Sequence, residues 1–344
     1  MKIFFTAEYN KNDIQTLYEL GEVILDGWAI GLPKLQEKEL IEKTQNVDII
    51  VTSYDDITSD VIKKAINLKL IACTRATPVN IDVTAAKKRK IPVVYAPGRN
   101  SDSVAEFTMG LILSVARNIP QAYKALKEGK YTSGEDATQE TKIGLKKDVI
   151  WGMTKESPYV VFKGVELKYK TLGIIGYGSI GRRVGRIARA FGMELLVFDP
   201  YQGELDIEEI GIRKVNTLAE LMEKSDFITS HIKATPKTKN IIDSKMVALM
   251  KSTAYFINTS RGAIVDEEVI VSALRKNRIA GAAFDVYNNE PILRNHPFIK
   301  ELDNVVITPH IAGATEQVLT NHTKQIVGDI KRFIRNEPLL YEYK

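Results

Sequence analysis

A single cysteine, Cys73, stands in 344 residues. That excludes an intrachain disulfide framework and a cysteine-rich zinc site, and no other metal cluster is expected. Long apolar runs are missing too: none approaches the roughly 18 residues that a membrane span needs. The N-terminal burst at 3–5 is stopped at once by polar residues, too short for a signal-peptide core, and reads as a first strand. Charge of one sign is scarcely in excess. Lys plus Arg number 48 and Asp plus Glu 43, leaving +5 spread along the chain. That is too mild to argue for nucleic acid or an anionic membrane as a partner. These absences together point to a soluble cytoplasmic protein. What is present is ordinary globular material, 44% hydrophobic and 26% charged, enough for about two domains at roughly 150 residues each.

Short apolar runs at 2–6, 47–51, 69–73 and 92–95 read as strands, with helices at 13–20, 59–66 and 82–89 between them. This βαβ alternation implies a parallel sheet with helices on its faces. A long helix is expected from Ser103 to about 117, its start marked by the capping-box spacing of Ser103 and Glu106. Residues 129–164 are polar and Gly/Thr-rich and break the rhythm. They read as a functional or interfacial excursion. Alternation then resumes with strands at 171–175, 194–198, 227–231, 255–259, 280–286 and 305–308, and a last helix spans about 316–335.

The strand at 171–175 runs into Gly176-Tyr-Gly178-Ser-Ile-Gly181 and then a helix at 182–191. G-x-G-x-x-G alone is weak evidence, but this context gives each glycine a task. Gly176 permits the tight turn, Gly178 lets backbone approach a pyrophosphate, and Gly181 lets the helix pack close to the strand. The next strand leads to Asp199, where an acidic side chain would take the ribose hydroxyls and repel a 2′-phosphate, favouring NAD over NADP. Arg182, Arg183 and Arg186 on the helix read as a solvated face. Three more strand ends carry polar clusters: Asn258-Thr-Ser-Arg261-Gly262, Phe284-Asp285-Val-Tyr-Asn-Asn-Glu290-Pro291, and Thr308-Pro309-His310-Ile-Ala-Gly313.

With the glycine loop in front of them, these stretches resemble the D-isomer-specific 2-hydroxyacid dehydrogenase family, which includes formate, D-lactate, glycerate and 3-phosphoglycerate dehydrogenases. The similarity covers about 69–315. It implies an α/β fold of two doubly wound parallel-sheet domains: a Rossmann NAD-binding domain at 103–315 inserted in a flavodoxin-like substrate domain at 1–102 and 316–344. It implies NAD as cofactor and a small 2-hydroxy or 2-keto acid as substrate. His310 matches the acid/base, Glu290 its paired carboxylate, and Arg261 the guanidinium that grips the substrate carboxylate. Cofactor contacts are implied for Gly176, Gly178, Ser179, Ile180, Gly181, Asp199, Thr259, Gly313 and Thr108, with Asp285 on the nicotinamide carboxamide. Arg75, Ala76, Thr77 and Asn100 join Arg261 around the substrate. Relatives pair through the Rossmann domain, so a homodimer is expected, with Trp151, Tyr159, Val160, Val161 and Phe162 of the excursion embracing the partner. His231, His296 and His322 read as structural, and Cys73 as a small buried hydrophobe.

The chain also departs from that pattern. Relatives have glycines where Arg75 and Thr77 stand, so Arg75 is either an extra handle for an anion or a solvent-facing side chain. No arginine stands at 52–54, where phosphoglycerate dehydrogenases usually place one. Lys233 and Ala234 replace proline and leucine, so Lys233 either adds a cation near the cofactor or points outward. No regulatory domain is expected after Lys344. A phosphorylated-acid dehydrogenase is one alternative, and an NAD(H)-sensing, corepressor-like binding protein is another.

Overall fold

A computed structural model describes residues 1–132, 154–203 and 212–344. The chain divides into two compact units, one of residues 1–100 and 314–344, the other of residues 101–313.

The first unit is built on β1 (Lys2–Phe5), β2 (Glu22–Leu25), β3 (Ile49–Thr52), β4 (Leu70–Cys73) and β5 (Val93–Val94). They lie parallel in the order β2-β1-β3-β4-β5. β3 and β4 are buried on both faces, which is why they read as unbroken apolar runs rather than alternating ones. Phe4, Ile50, Ile71 and Cys73 turn one way onto Leu40, Val61 and Ala86. Ile3, Phe5, Ile49, Val51 and Leu70 turn the other way. That second face is sealed by the helices Lys11–Tyr18 and Glu316–Ile334, through Ile14 and Leu17 and through Ile326, Val327 and Ile330. Such an order puts ligands at the C-terminal ends of the strands, where Tyr54, Arg75 and Arg99 follow β3, β4 and β5.

The second unit holds β6 (Thr171–Ile175), β7 (Glu194–Phe198), β8 (Arg213–Lys214), β9 (Phe227–Ser230), β10 (Tyr255–Asn258), β11 (Gly281–Phe284) and β12 (Val305–Ile307). Their order is β12-β11-β10-β9-β6-β7-β8, all parallel. The chain leaves β6 toward one edge and returns to build β9–β12 toward the other. The reversal between β6 and β9 is the crevice where doubly wound sheets bind dinucleotides.

The long helix runs Ser101–Ala116. It begins two residues ahead of Ser103, so Ser103 and Glu106 lie inside it and do not cap it. A second helix, Ile119–Lys127, follows at once. Of the 129–164 excursion, residues 133–153 and with them Trp151 lie outside the described residues. The described part holds the short helix Pro158–Val161, with Tyr131 edge-on to Phe162 at 5.7 Å.

Candidate active site

The glycine loop departs from β6 as the backbone demands. Gly176 has φ +87°, and a Cβ there would stand 2.6 Å from Ile232. At Gly181 a Cβ would stand 2.2 Å from the Gly176 carbonyl oxygen, so only glycine lets the Ser179–Ala190 helix sit on the strand end. Gly178, by contrast, is exposed and faces open space, with nothing within 4 Å of where a Cβ would be. Two of the glycines close the turn and the third leaves room before the helix N-terminus, a cradle that fits a pyrophosphate. Ser179 is exposed and donates to Ser101 Oγ at 2.8 Å, while Ile180 packs toward the core. Beyond β7, Asp199 accepts the backbone N–H of Tyr177 at 2.7 Å and of Tyr201 at 2.8 Å. Its carboxylate is thereby fixed beside the loop with one lone pair on each oxygen still open.

Two of the arginines that follow do not form a solvated face. Arg182 lies over the Tyr177 ring at 5.1 Å and donates to Gln202 at 2.6 Å. Arg183 donates to Asp102 at 2.7 Å. Arg186 is exposed, 3.8 Å from the same carboxylate. Lys233 is exposed as well.

Arg261, Glu290 and His310 follow β10, β11 and β12, three neighbouring strands in register, so all three side chains leave one rim of the sheet. His310 Nδ1 meets Glu290 Oε2 at 2.7 Å, and Glu290 Oε1 accepts the Tyr287 N–H at 3.1 Å. Arg261 donates to the Ser260 carbonyl at 2.6 Å and is otherwise exposed. Its neighbour Gly262 is wedged against the next segment: a Cβ there would stand 2.1 Å from the Tyr287 carbonyl. That close approach presses the Arg261 turn against the 287–290 stretch.

His310 has φ +56°, a left-handed conformation that a histidine holds only when its surroundings impose it. Asp285 imposes it. One carboxylate oxygen accepts Thr308 Oγ1 at 2.6 Å and the Ile311 N–H at 2.9 Å, and the other accepts the Ala312 N–H at 2.8 Å. The Tyr287 hydroxyl adds a bond to the Thr308 carbonyl at 2.8 Å. Asp285 is fully buried with three donors from the His310 loop. Thr108 is 0% exposed, its hydroxyl donates to the Val104 carbonyl at 2.7 Å, and it lies 2.8 Å from the buried Thr259 hydroxyl. Thr108 holds Thr259 in place. Gly313 is half-buried at the end of the loop.

In the other unit, Arg75 lies half-buried, Ala76 exposed and Thr77 half-buried in a loop where no residue takes a left-handed φ. The loop therefore needs no glycine, which is why it tolerates Arg75 and Thr77. Asn100 is half-buried, the last residue of its segment. The Arg75 guanidinium stacks over the Tyr54 ring at 5.0 Å. Arg99, which the sequence reading passed over, sits nearby and bonds His322 at 3.0 Å.

The remaining histidines are structural. His296 accepts the Phe298 N–H at 3.2 Å at a helix start. His322 bridges Arg99 and the Glu8 carbonyl. His231 bonds Thr229 at 3.1 Å, and burial pushes its pKa down to about 3. The Cys73 thiol is buried and pushed up to about 11. No group of three or more metal-ligating side chains occurs among the described residues, and no described helix is long and apolar enough to cross a membrane.

Residues 109–312 match the family model for the D-isomer-specific 2-hydroxyacid dehydrogenase NAD-binding domain. The chain belongs to that family. Its match to the D-3-phosphoglycerate dehydrogenase of Methanocaldococcus jannaschii is 39% identical and covers 98% of this chain but 58% of that protein. Among family structures, the D-lactate dehydrogenase of Aquifex aeolicus complexed with NAD and lactic acid is 26% identical at a TM-score of 0.71, covering 98% of this chain and 96% of that one. An acyclic imino acid reductase in complex with NADPH and D-Arg is 28% identical at a TM-score of 0.79, covering all of both chains. As in this family, the second unit is an NAD-binding domain of Rossmann type.

Proposed function

We propose that this protein is an NAD-dependent dehydrogenase that interconverts a D-2-hydroxy acid and its 2-keto acid, with His310 as the acid/base. The observation that carries this reading is the 2.7 Å contact of His310 Nδ1 with Glu290 Oε2, on the rim that also bears Arg261. With Nδ1–H donated to the carboxylate, Nε2 remains to take the hydroxyl proton in oxidation and return it in reduction. Glu290 stabilises the imidazolium that forms, and the Tyr287 amide keeps it from turning away. Arg261 supplies paired N–H donors for the substrate carboxylate, a geometry only a guanidinium offers. The glycine loop and Asp199 would hold NAD, which would supply the hydride acceptor for the substrate carbon. Asp199 favours NAD over NADP, because a 2′-phosphate would meet its carboxylate.

The test is NADH oxidation against a panel of 2-keto acids. Turnover of at least one acid is expected, and it is lost in His310→Ala. Tight NADH binding with no turnover of any acid would replace the enzyme with a dinucleotide-sensing binding protein.

A further inference from the structure

Arg75 and Arg99 follow the adjacent strands β4 and β5, and neither has a carboxylate partner among the described residues. Arg75 rests its flat face on Tyr54 at 5.0 Å, and Tyr54 lies 4.7 Å from the Trp28 ring. Stacking engages the face of a guanidinium and leaves the N–H donors at its edge for an oxyanion.

Arg99 is half-buried and its Nε has no partner. Its position is nevertheless fixed. Nη1 donates to His322 Nδ1 at 3.0 Å, and His322 Nε2 donates on to the Glu8 carbonyl at 2.9 Å. Asn321 Nδ2 donates to the Arg99 carbonyl at 2.9 Å. This chain of bonds requires a neutral imidazole, in accord with the burial that pushes His322 down to about 4. A carboxylate in that place would have cancelled the charge, whereas a neutral ring orients the guanidinium and leaves the charge intact.

The two cations lie close enough to feel each other's charge. Burial first, and then the like charge of Arg75, lower Arg99 from its usual range, with Tyr54 working the other way. Both arginines also act on the Cys73 thiol at the end of β4. Thr74 Oγ1, next to Arg75 in the chain, is buried without a partner. Two like charges drawn out of water with no counter-charge are costly alone and are stabilised by an anion.

We propose that Arg75 and Arg99 form an oxyanion site that selects dianionic 2-hydroxy and 2-keto acids, those whose far end carries a second carboxylate or a phosphate. The dehydrogenase reading is needed only for the kinetic arm of the test. There, wild-type kcat/KM is expected to be at least about tenfold higher for 2-keto dicarboxylates or a phosphorylated 2-keto acid than for pyruvate or glyoxylate. Whichever dianion is faster separates the carboxylate from the phosphate. Arg99→Met and Arg75→Met should each cut that preference about tenfold, and Arg99→Lys should restore part of it. The binding arm is thermal unfolding in inorganic phosphate or malonate. Either anion should raise the wild-type Tm and leave Arg75→Met unmoved, a variant that removes only a stacked side chain and so keeps the fold. Equal loss across mono- and dianionic substrates, or a Tm rise that persists in Arg75→Met, would overturn the site. Turnover of no acid with a Tm rise confined to wild type would instead refute the dehydrogenase reading and keep the site.

Discussion

Asparagine at position 285 keeps the shape of the buried carboxylate and changes what one oxygen can do. Asp285 Oδ1 accepts two donors, from Thr308 and Ile311, and Oδ2 accepts the Ala312 N–H. In Asp285→Asn one of these acceptors becomes an NH2, which must confront at least one donor of the loop. A charge-assisted bond is worth about 1.5–3 kcal/mol, and a buried donor left unpaired costs about 1–3 kcal/mol more. About 2.5–6 kcal/mol is therefore withdrawn from a turn that holds His310 at a left-handed φ. That exceeds the roughly 1–3 kcal/mol such a conformation costs, so the loop should relax and His310 should lose its alignment with Glu290. A drift of about 1 Å in a catalytic group costs on the order of 100-fold in rate. Stopped-flow and steady-state kinetics should show kcat reduced about 10- to 100-fold, with the Kd for NADH changed by less than about threefold. A loss concentrated in NADH affinity, with kcat and Tm unchanged, would refute the positioning role and return Asp285 to the nicotinamide.

Other consequences are open to direct measurement. His310→Ala should lower kcat by roughly 10²–10⁴-fold with NADH binding nearly intact, and Arg261→Ala should impair both kcat and KM; normal turnover in either removes that residue from the mechanism. Wild-type kcat/KM should be higher with NADH than with NADPH, and Asp199→Asn should narrow the gap, whereas a native preference for NADPH would reject the role given to Asp199. Ile119, Tyr123 and Leu126 along one helix, with Tyr159, Val160 and Val161, are all exposed, an apolar surface that a two-fold partner would cover. Light scattering should therefore give a dimer mass, lowered by Val160→Asp. His231 and His322, held down to about 3 and about 4, stay neutral in the folded chain while the unfolded chain takes up protons below about pH 6.5. Stability should then fall by about 2 kcal/mol per histidine between pH 7 and pH 5, and a flat urea midpoint over that range would contradict the burial of both rings.

The parts of the fold legible in the sequence are those whose cause is local. β6 and β7 have the bounds read from the sequence because each is a continuous apolar run ended by a glycine or an acidic turn. The glycine loop was legible because backbone sterics fix which residue can stand at 176 and 181. β2 has no clear signature because an edge strand of one exposed and three half-buried residues has no buried face to announce it. The helix Glu37–Thr44 buries only Leu40 and Thr44 and presents no apolar stripe. At the candidate site, identity and direction came apart. Asp285 and Thr108 stand out by their place at a strand end and on the long helix, whereas the bonds they make to the His310 loop and to Thr259 have no signature in the sequence. Tyr287 reaches Thr308 across 21 residues of chain, a contact with no signature in spacing. Arg99 had a faint one, a cation between a strand end and a helix start. Its significance lies in lacking an acid, which no sequence displays.

The distribution of charge has a consequence for how one scaffold serves different acids. Moving a proton and gripping an α-carboxylate are common to every 2-hydroxy acid, and the groups suited to both, His310, Glu290 and Arg261, leave one rim of the second unit. They are held there by Asp285 and Tyr287, which hydrogen-bond the backbone around His310 and Glu290. What distinguishes one acid from another is the substituent beyond the reacting carbon. The uncompensated guanidinium groups at the strand ends of the first unit, Arg75 on its aromatic shelf and Arg99 on its neutral histidine, are suited to reading that substituent. Among the described residues, the hydrogen bonds that hold the His310–Glu290 pair come from the second unit itself. In the proposed site, substrate choice changes at positions 75 and 99 while the proposed proton transfer stays as it is. Swapping Arg75 or Arg99 for a neutral side chain should shift preference among acids, read as the ratio of kcat/KM for a dianionic acid to that for a monoanionic one.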